Sequence, residues 1–261
     1  MHTTPQRQSG RAGTRSLAWG VLAAAVLQVI APVITINGPG ASPGSGSGPD
    51  LLITPVGWAF SIWGVIYALA IAQAIGVLVR GGDIPLRLQL DQIVLYLGGA
   101  LWIALAGLDS SQATAGALLL MLVAAVDGVL TAARRQLHAG WLTVLTRAAV
   151  GLYAGWVTAA FFLNASTALV DSGVVEADEL SWQVGVLVAA VLTLVALTIA
   201  SRGILTYAAA GVWALLGIAV TGRSDGTTEV VTVAAISAIV LVATTAALRL
   251  TGHRPAAHHT A

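Results

Sequence analysis

Cysteine and lysine are both absent, and only 9% of the 261 residues carry a charge. Without cysteine the chain forms no disulfide, thiolate nucleophile, cysteine-ligated zinc site, iron–sulfur cluster or c-type haem attachment. Histidine occurs only at His2, His138, His253, His258 and His259, all in polar flanks. No apolar run therefore offers an imidazole for axial haem ligation or an intramembrane metalloprotease, and no metal or cofactor is expected. All basic charge is arginine, and the formal net charge of +1 singles out no partner.

What is present is apolar. The chain is 57% hydrophobic with a mean hydropathy of +0.88, where soluble domains average about half apolar and about a quarter charged. The composition is that of an all-α membrane protein. A hydrocarbon core about 30 Å thick takes roughly 20 apolar residues per helix, so the length accommodates about eight transmembrane helices and no sizeable soluble domain. Apolar runs between Gly, Pro, Ser and charge clusters predict helices at 16–36, 55–79, 89–108, 113–133, 147–169, 182–200, 203–221 and 228–249. The segment GPGASPGSGSGPD from Gly38 to Asp50 reads as a flexible loop, and the other connections are short.

Arginine distribution predicts the orientation, because cationic loops are retained in the cytoplasm. Arg7, Arg11, Arg15, Arg80, Arg87, Arg134, Arg135, Arg147, Arg202, Arg249 and Arg254 fall on one side of an eight-span chain, and Arg223 alone on the other. Asp50, Asp109, Asp171, Glu176, Asp178, Glu179, Asp225 and Glu229 share the side of Arg223. Both termini are thus expected in the cytoplasm. A cleaved signal peptide is the competing reading of the first segment, whose apolar stretch is long for that purpose.

Eight tryptophans invite sorting by depth. Trp19, Trp141 and Trp182 lie near predicted helix ends, where an interfacial belt explains them. Trp58 fits either a belt or an interior role. Trp63, Trp102, Trp156 and Trp213 lie deeper, where an indole N–H needs a partner. In TPVGWAFSIWGVIY of span 2, Phe60, Trp63 and Tyr67 share one helical face; in LYAGWVTAAFFLN of span 5, Tyr153, Trp156, Ala160 and Asn164 share another. At about 1.5 Å per residue, Trp63, Tyr67, Trp102 and Ala160 reach similar depths, with Asn164 slightly above. Two readings stand side by side: bulky side chains filling gaps among Ala, Gly and Val, or an aromatic ligand pocket. Gly151 and Gly155 form a GxxxG spacing turned away from Trp156 and suited to close helix packing.

Span 2, through Pro55, Trp58, Phe60, Trp63 and Tyr67, and span 5, through Tyr153, Trp156, Leu163 and Asn164, resemble the tryptophan-rich sensory protein family, TspO/MBR, whose mitochondrial members are the translocator protein or peripheral benzodiazepine receptor. The span 5 motif keeps four residues in register over twelve positions. Trp58 and Trp63 stand one residue closer than the family pattern places them, Leu152 replaces a usual proline, and span 3 retains Trp102 without the expected asparagine. The resemblance covers roughly residues 16–170, and the last three spans resemble the extension of a longer bacterial branch.

This resemblance implies a TspO-like five-helix bundle at 16–170, a three-helix extension at 171–250 and cytoplasmic tails at 1–15 and 251–261. It also implies a pocket under the 38–53 loop for a tetrapyrrole such as protoporphyrin, or for sterol-like or drug-like ligands. The candidate ligand-binding residues are Trp58, Phe60, Trp63, Tyr67, Trp102, Tyr153, Trp156, Ala160 and Asn164, grouped between spans 2, 3 and 5. The expected partners are the lipid bilayer of a bacterial inner membrane and a hydrophobic small molecule, with no nucleic acid; a homodimer stays open. Asp127, an acid well inside span 4, is either a proton or cation site or a structural partner of Arg134 or Arg147. Asp91 and Gln92 read as interfacial, and the last three spans as packing or oligomer elements. The leading expectation is a non-enzymatic sensor or translocator. The alternatives are a small secondary transporter with Asp127 as coupling site, or an enzyme that degrades porphyrin, for which the sequence supplies no base or metal ligand.

Overall fold

A computed structural model describes residues 6–36, 51–80, 84–136 and 140–252. All five histidines, Arg254 and residues 37–50 of the Gly-rich loop lie outside these residues, as do the side chains of Arg7 and Arg11. The lid expected at 38–53 is therefore described only from Leu51 onward.

Eight α-helices make up the described fold: α1 (Gln6–Ile36), α2 (Ile62–Val79), α3 (Leu86–Ala106), α4 (Ser111–Arg134), α5 (Gly140–Asp171), α6 (Leu180–Ala200), α7 (Leu205–Ser224) and α8 (Thr228–Gly252). Each is long and apolar enough to cross a membrane. The surface is hydrocarbon-facing, with Leu119, Leu120 and Val123 of α4 and Ile236, Ile239 and Val242 of α8 all exposed. Amides sit inside instead: Gln28, Gln73, Gln89 and Gln92 are buried. This inversion suits lipid, which solvates leucine as well as a protein core does and leaves polar groups to find partners within the bundle. The chain is a multi-pass membrane protein.

Helix α1 begins at Gln6, ten residues before the expected 16, and two other helix starts differ from expectation for local reasons. α5 begins seven residues before Arg147 because Leu142, Thr143 and Thr146 are already buried. The Arg147 guanidinium folds back to donate to the carbonyls of Ala132 (3.1 Å), Ala133 (3.4 Å) and Arg135 (3.4 Å) at the end of α4. A residue that reads as a boundary charge is a C-terminal cap for its neighbour. Span 2 opens as a 3₁₀ turn, Gly57–Ser61, before α2.

α5 is the central helix, packed on α2, α4, α6 and α7, and every residue from Ala149 to Thr158 is buried. Its GxxxG glycines meet α7. A Cβ at Gly155 would lie 2.3 Å from the Tyr207 carbonyl oxygen, and one at Gly151 would lie 2.3 Å from Thr206 Oγ1. Only bare backbone permits that approach.

A polar ladder crosses the other side of the bundle. Gln92 Nε2 donates to Gln73 Oε1 (2.8 Å) and to the Tyr96 hydroxyl (3.2 Å), and Gln73 Nε2 donates to Thr146 Oγ1 (3.4 Å). The Tyr153 hydroxyl donates to Gln28 Oε1 (2.8 Å), while the Tyr96 and Tyr153 rings stack with centroids 5.7 Å apart. These contacts join α1, α2, α3 and α5. Gln92 is thus a core residue and not an interfacial one, since α3 starts two turns before it.

Candidate functional site

The approach to α2 is held by backbone contacts. The Leu52 N–H donates to Gln183 Oε1 of α6 (2.8 Å), and the Val56 N–H to the Gly217 carbonyl of α7 (3.2 Å). A Cβ at Gly217 would stand 2.9 Å from Ala59 Cβ and 3.0 Å from Pro55 Cβ. The absence of that atom lets the segment lie against α7. Trp213, a deep tryptophan of the C-terminal spans, donates its indole N–H to the Ala59 carbonyl (2.7 Å), and Trp58 packs on it edge-on at 4.8 Å.

The next residues enter an aromatic cluster centred on Trp63. Its ring stacks on Trp102 at 5.7 Å and 26°. It meets Tyr153 edge-on at 5.7 Å and Trp156 edge-on at 6.3 Å, with Tyr67 tilted against it at 5.5 Å. Phe60, from the 3₁₀ turn, meets Trp156 edge-on at 5.7 Å. Offset and edge-to-face arrangements of this kind are the favourable ones for ring quadrupoles. Three helices do aim aromatics at one level.

Beside this cluster lies an apolar cavity of ≈ 50 Å³, nearer the end of the bundle at which α2 and α6 begin. Six of the nine candidate residues line it: Phe60, Trp63, Trp102, Trp156, Ala160 and Asn164. The other three do not. Trp58 is 45% exposed on the outside of the 3₁₀ turn, Tyr67 backs Trp63, and Tyr153 is committed to Gln28.

The opposite wall comes from the helices that sequence reasoning assigned to packing. Leu187, Ala190 and Leu194 of α6 and Ala214, Leu215 and Ile218 of α7 close the cavity. The expected location between spans 2, 3 and 5 is therefore corrected: α3 contributes only Trp102 to the lining, and α5, α6 and α7 supply most of it. No side-chain chemistry marks these aliphatic positions in the sequence. Trp213 was the one available signal, since a deep indole requires an acceptor on another element.

The polar groups at the cavity divide into used and unused. Asn164 accepts from Trp102 Nε1 (3.2 Å) and donates to the Ala160 carbonyl of its own helix (3.0 Å). It therefore fixes Trp102 more than it offers itself to a ligand. Tyr67, also expected to reach a ligand, does not line the space. Among the described residues, the indole N–H groups of Trp63 and Trp156 are buried without an acceptor. A buried donor left unpaired costs about 1–3 kcal/mol.

Asp127 has a different partner from either one expected. Both Nε and Nη2 of Arg87, on α3, donate to its two carboxylate oxygens, whereas Arg147 caps α4. Asp91 of α3 adjoins the same pair, so Asp127 is not a lone acid. The forked geometry belongs to a structural clamp between α3 and α4. Because Arg87 is largely exposed, the pair is screened and contributes little. Asp127→Asn is expected to lower the thermal unfolding midpoint in detergent by less than about 3 °C and to leave ligand affinity unchanged. A collapse of binding in this variant would return Asp127 to the functional site. Among the described residues no group of three or more His, Asp or Glu could hold a metal ion.

A protein-family model described as TSPO-like protein matches residues 16–247, which include α6, α7 and nearly all of α8. No curated protein and no solved structure matches the chain.

Proposed function

The chain belongs to the TSPO-like protein family, and we propose that it is a membrane sensor or translocator for a flat, hydrophobic ligand of the tetrapyrrole class. The ligand would sit between the 3₁₀ turn, α5, α6 and α7. One observation carries this reading: Trp63 and Trp156 line one cavity from two helices, and each holds a buried indole donor with no acceptor among the described residues. A propionate or ring carbonyl would accept from either, while the faces of Trp102, Trp156 and Phe60 suit a conjugated ring. Trp58, Tyr67 and Tyr153 support this set from behind.

The cavity is smaller than the roughly 150 Å³ that admits a benzene. Binding therefore requires a wall to move. The aliphatic wall of α6 is the one that yields, since no ring stacking on it would be broken. Among the described residues the lining carries no carboxylate, imidazole or hydroxyl, which favours binding over turnover. The arginine asymmetry supports termini in the cytoplasm of a bacterial inner membrane, with the cavity in the outer leaflet.

Titration of the purified protein with protoporphyrin, followed through the porphyrin's own absorption, tests this reading. Wild type should bind saturably and without decay of the porphyrin spectrum. Trp63→Phe and Trp156→Phe should each weaken binding about tenfold or more, the worth of a hydrogen bond to a charged group. Equal affinity in the double variant, or no saturation in wild type, refutes the proposal.

A further inference from the structure

α7 is pinned against its neighbours at two levels. Near its start, a Cβ at Gly155 of α5 would lie 2.3 Å from the Tyr207 carbonyl oxygen and 2.9 Å from Ala210 Cβ, so the helices are in close contact there. Further along, the Val56 N–H donates to the Gly217 carbonyl and the Trp213 indole N–H to the Ala59 carbonyl, which ties α7 to the 3₁₀ turn. Ala214 lies between these levels, one turn beyond Ala210. It is buried and lines the aromatic cavity. Ala159, one turn beyond Gly155 on α5, lines the cavity too. The seam of small residues that lets α5 and α7 touch thus runs on past their contact, and there both helices border the hollow.

The cavity's ≈ 50 Å³ leaves room for roughly three groups of water size, at about 15 Å³ each. Any carbon added to a lining alanine competes for that room, and its effect depends on whether the wall can retreat. Ala190 of α6 borders the same space, and the far face of α6 is open, with Val188 and Leu192 exposed. That wall can shift outward. Ala214 has no such freedom, because moving it breaks either the contact with α5 or the two hydrogen bonds to the 3₁₀ turn. In an apolar pocket one methylene in excess changes discrimination about tenfold or more.

We propose that Ala214 determines which ligands this site accepts: its small side chain leaves the room taken by an apolar edge of the ring. The inference rests on the ligand class proposed above and adds the wall that selects among its members. The favoured member carries short apolar substituents, such as methyl or vinyl, on the edge turned to α7. Polar substituents are rejected there, since Ala214, Leu215 and Ile218 line that side and their side chains offer no hydrogen bond to a group stripped of water.

The test compares protoporphyrin with deuteroporphyrin, which has hydrogen in place of the vinyl groups and keeps the propionates. Recognition of the charged end therefore cancels in the ratio of the two affinities. The purified full chain in detergent is titrated with each, followed by porphyrin absorption. Wild type should favour protoporphyrin, and Ala214→Val should lower that preference about tenfold. Ala190→Val should lower it less, and Ala189→Val, on the exposed face of α6, not at all. Should Ala214→Val fail to fold, Ala214→Gly decides: the added room should raise the preference, and an unchanged ratio overturns the proposal. Equal affinity of wild type for the two porphyrins, a ratio unchanged in folded Ala214→Val, or one lowered as far by Ala190→Val overturns this inference and leaves the ligand class standing. A wild type that binds neither porphyrin removes that class, and this inference with it.

Discussion

Gly155→Val is expected to leave almost no folded protein in a detergent extract, and Gly155→Ala to lower stability by about 3 kcal/mol or more in denaturant titration. The added Cβ would lie 2.3 Å from the Tyr207 carbonyl oxygen and 2.9 Å from Ala210 Cβ. Neither atom has a rotamer through which to retreat. Relief requires α7 to move away from α5, and with it Trp213, whose indole holds Ala59 at the mouth of the aromatic cavity. Gly98 provides the contrast. A Cβ there would come within 2.6 Å of Met121 Cγ, a side-chain atom that χ1 rotation can shift where the Tyr207 carbonyl cannot, so Gly98→Ala should cost less than Gly155→Ala. Equal losses from the two alanine variants would show that the α5–α7 contact is not the constraint described.

The second large effect separates packing from recognition at Trp156. Trp156→Ala removes a side chain that is 2% exposed and stands edge-on to both Phe60 and Trp63. A loss of about 3–5 kcal/mol is expected, most of it from the void left behind, because neighbouring helices relax only in part. Trp156→Phe keeps most of the ring contact and should cost less than about 1.5 kcal/mol, while still removing the N–H. Both variants should lose porphyrin affinity, and the alanine variant should lose far more stability than the phenylalanine one. A phenylalanine variant that binds as wild type would assign the indole to the core alone.

Much of the architecture was legible from periodicity and composition. Eight apolar runs became eight helices because, in lipid, a segment of that length satisfies its backbone only as a helix. The GxxxG spacing of α5 was legible for a related reason, since two glycines one turn apart leave a flat surface whatever the partner. The partner itself was not legible. α7 lies against α5, and nothing in its own sequence marks that contact. Six of nine candidate ligand residues line one cavity because depth along each span, at about 1.5 Å per residue, already sets Trp63, Trp102 and Ala160 at similar levels. Trp58 was misplaced because the chain enters α2 through a 3₁₀ turn tied to Gly217, which shifts the face it presents.

The charged and amide groups divide in the same way. The sequence alone determined that Asp127 needed a partner, since an unpaired carboxylate in a span is costly. The tertiary structure decided that Arg87 supplies it, across forty residues of chain, and freed Arg147 to cap α4. Spacing along one helix restricts a residue to neighbours three, four or seven positions away, so any pairing between helices lies beyond it. Length, span count and the depth of each aromatic are properties of single segments, and the amino-acid sequence settled them. The aliphatic wall of the aromatic cavity and the Arg87–Asp127 clamp are properties of helices meeting, and only the fold assembled them.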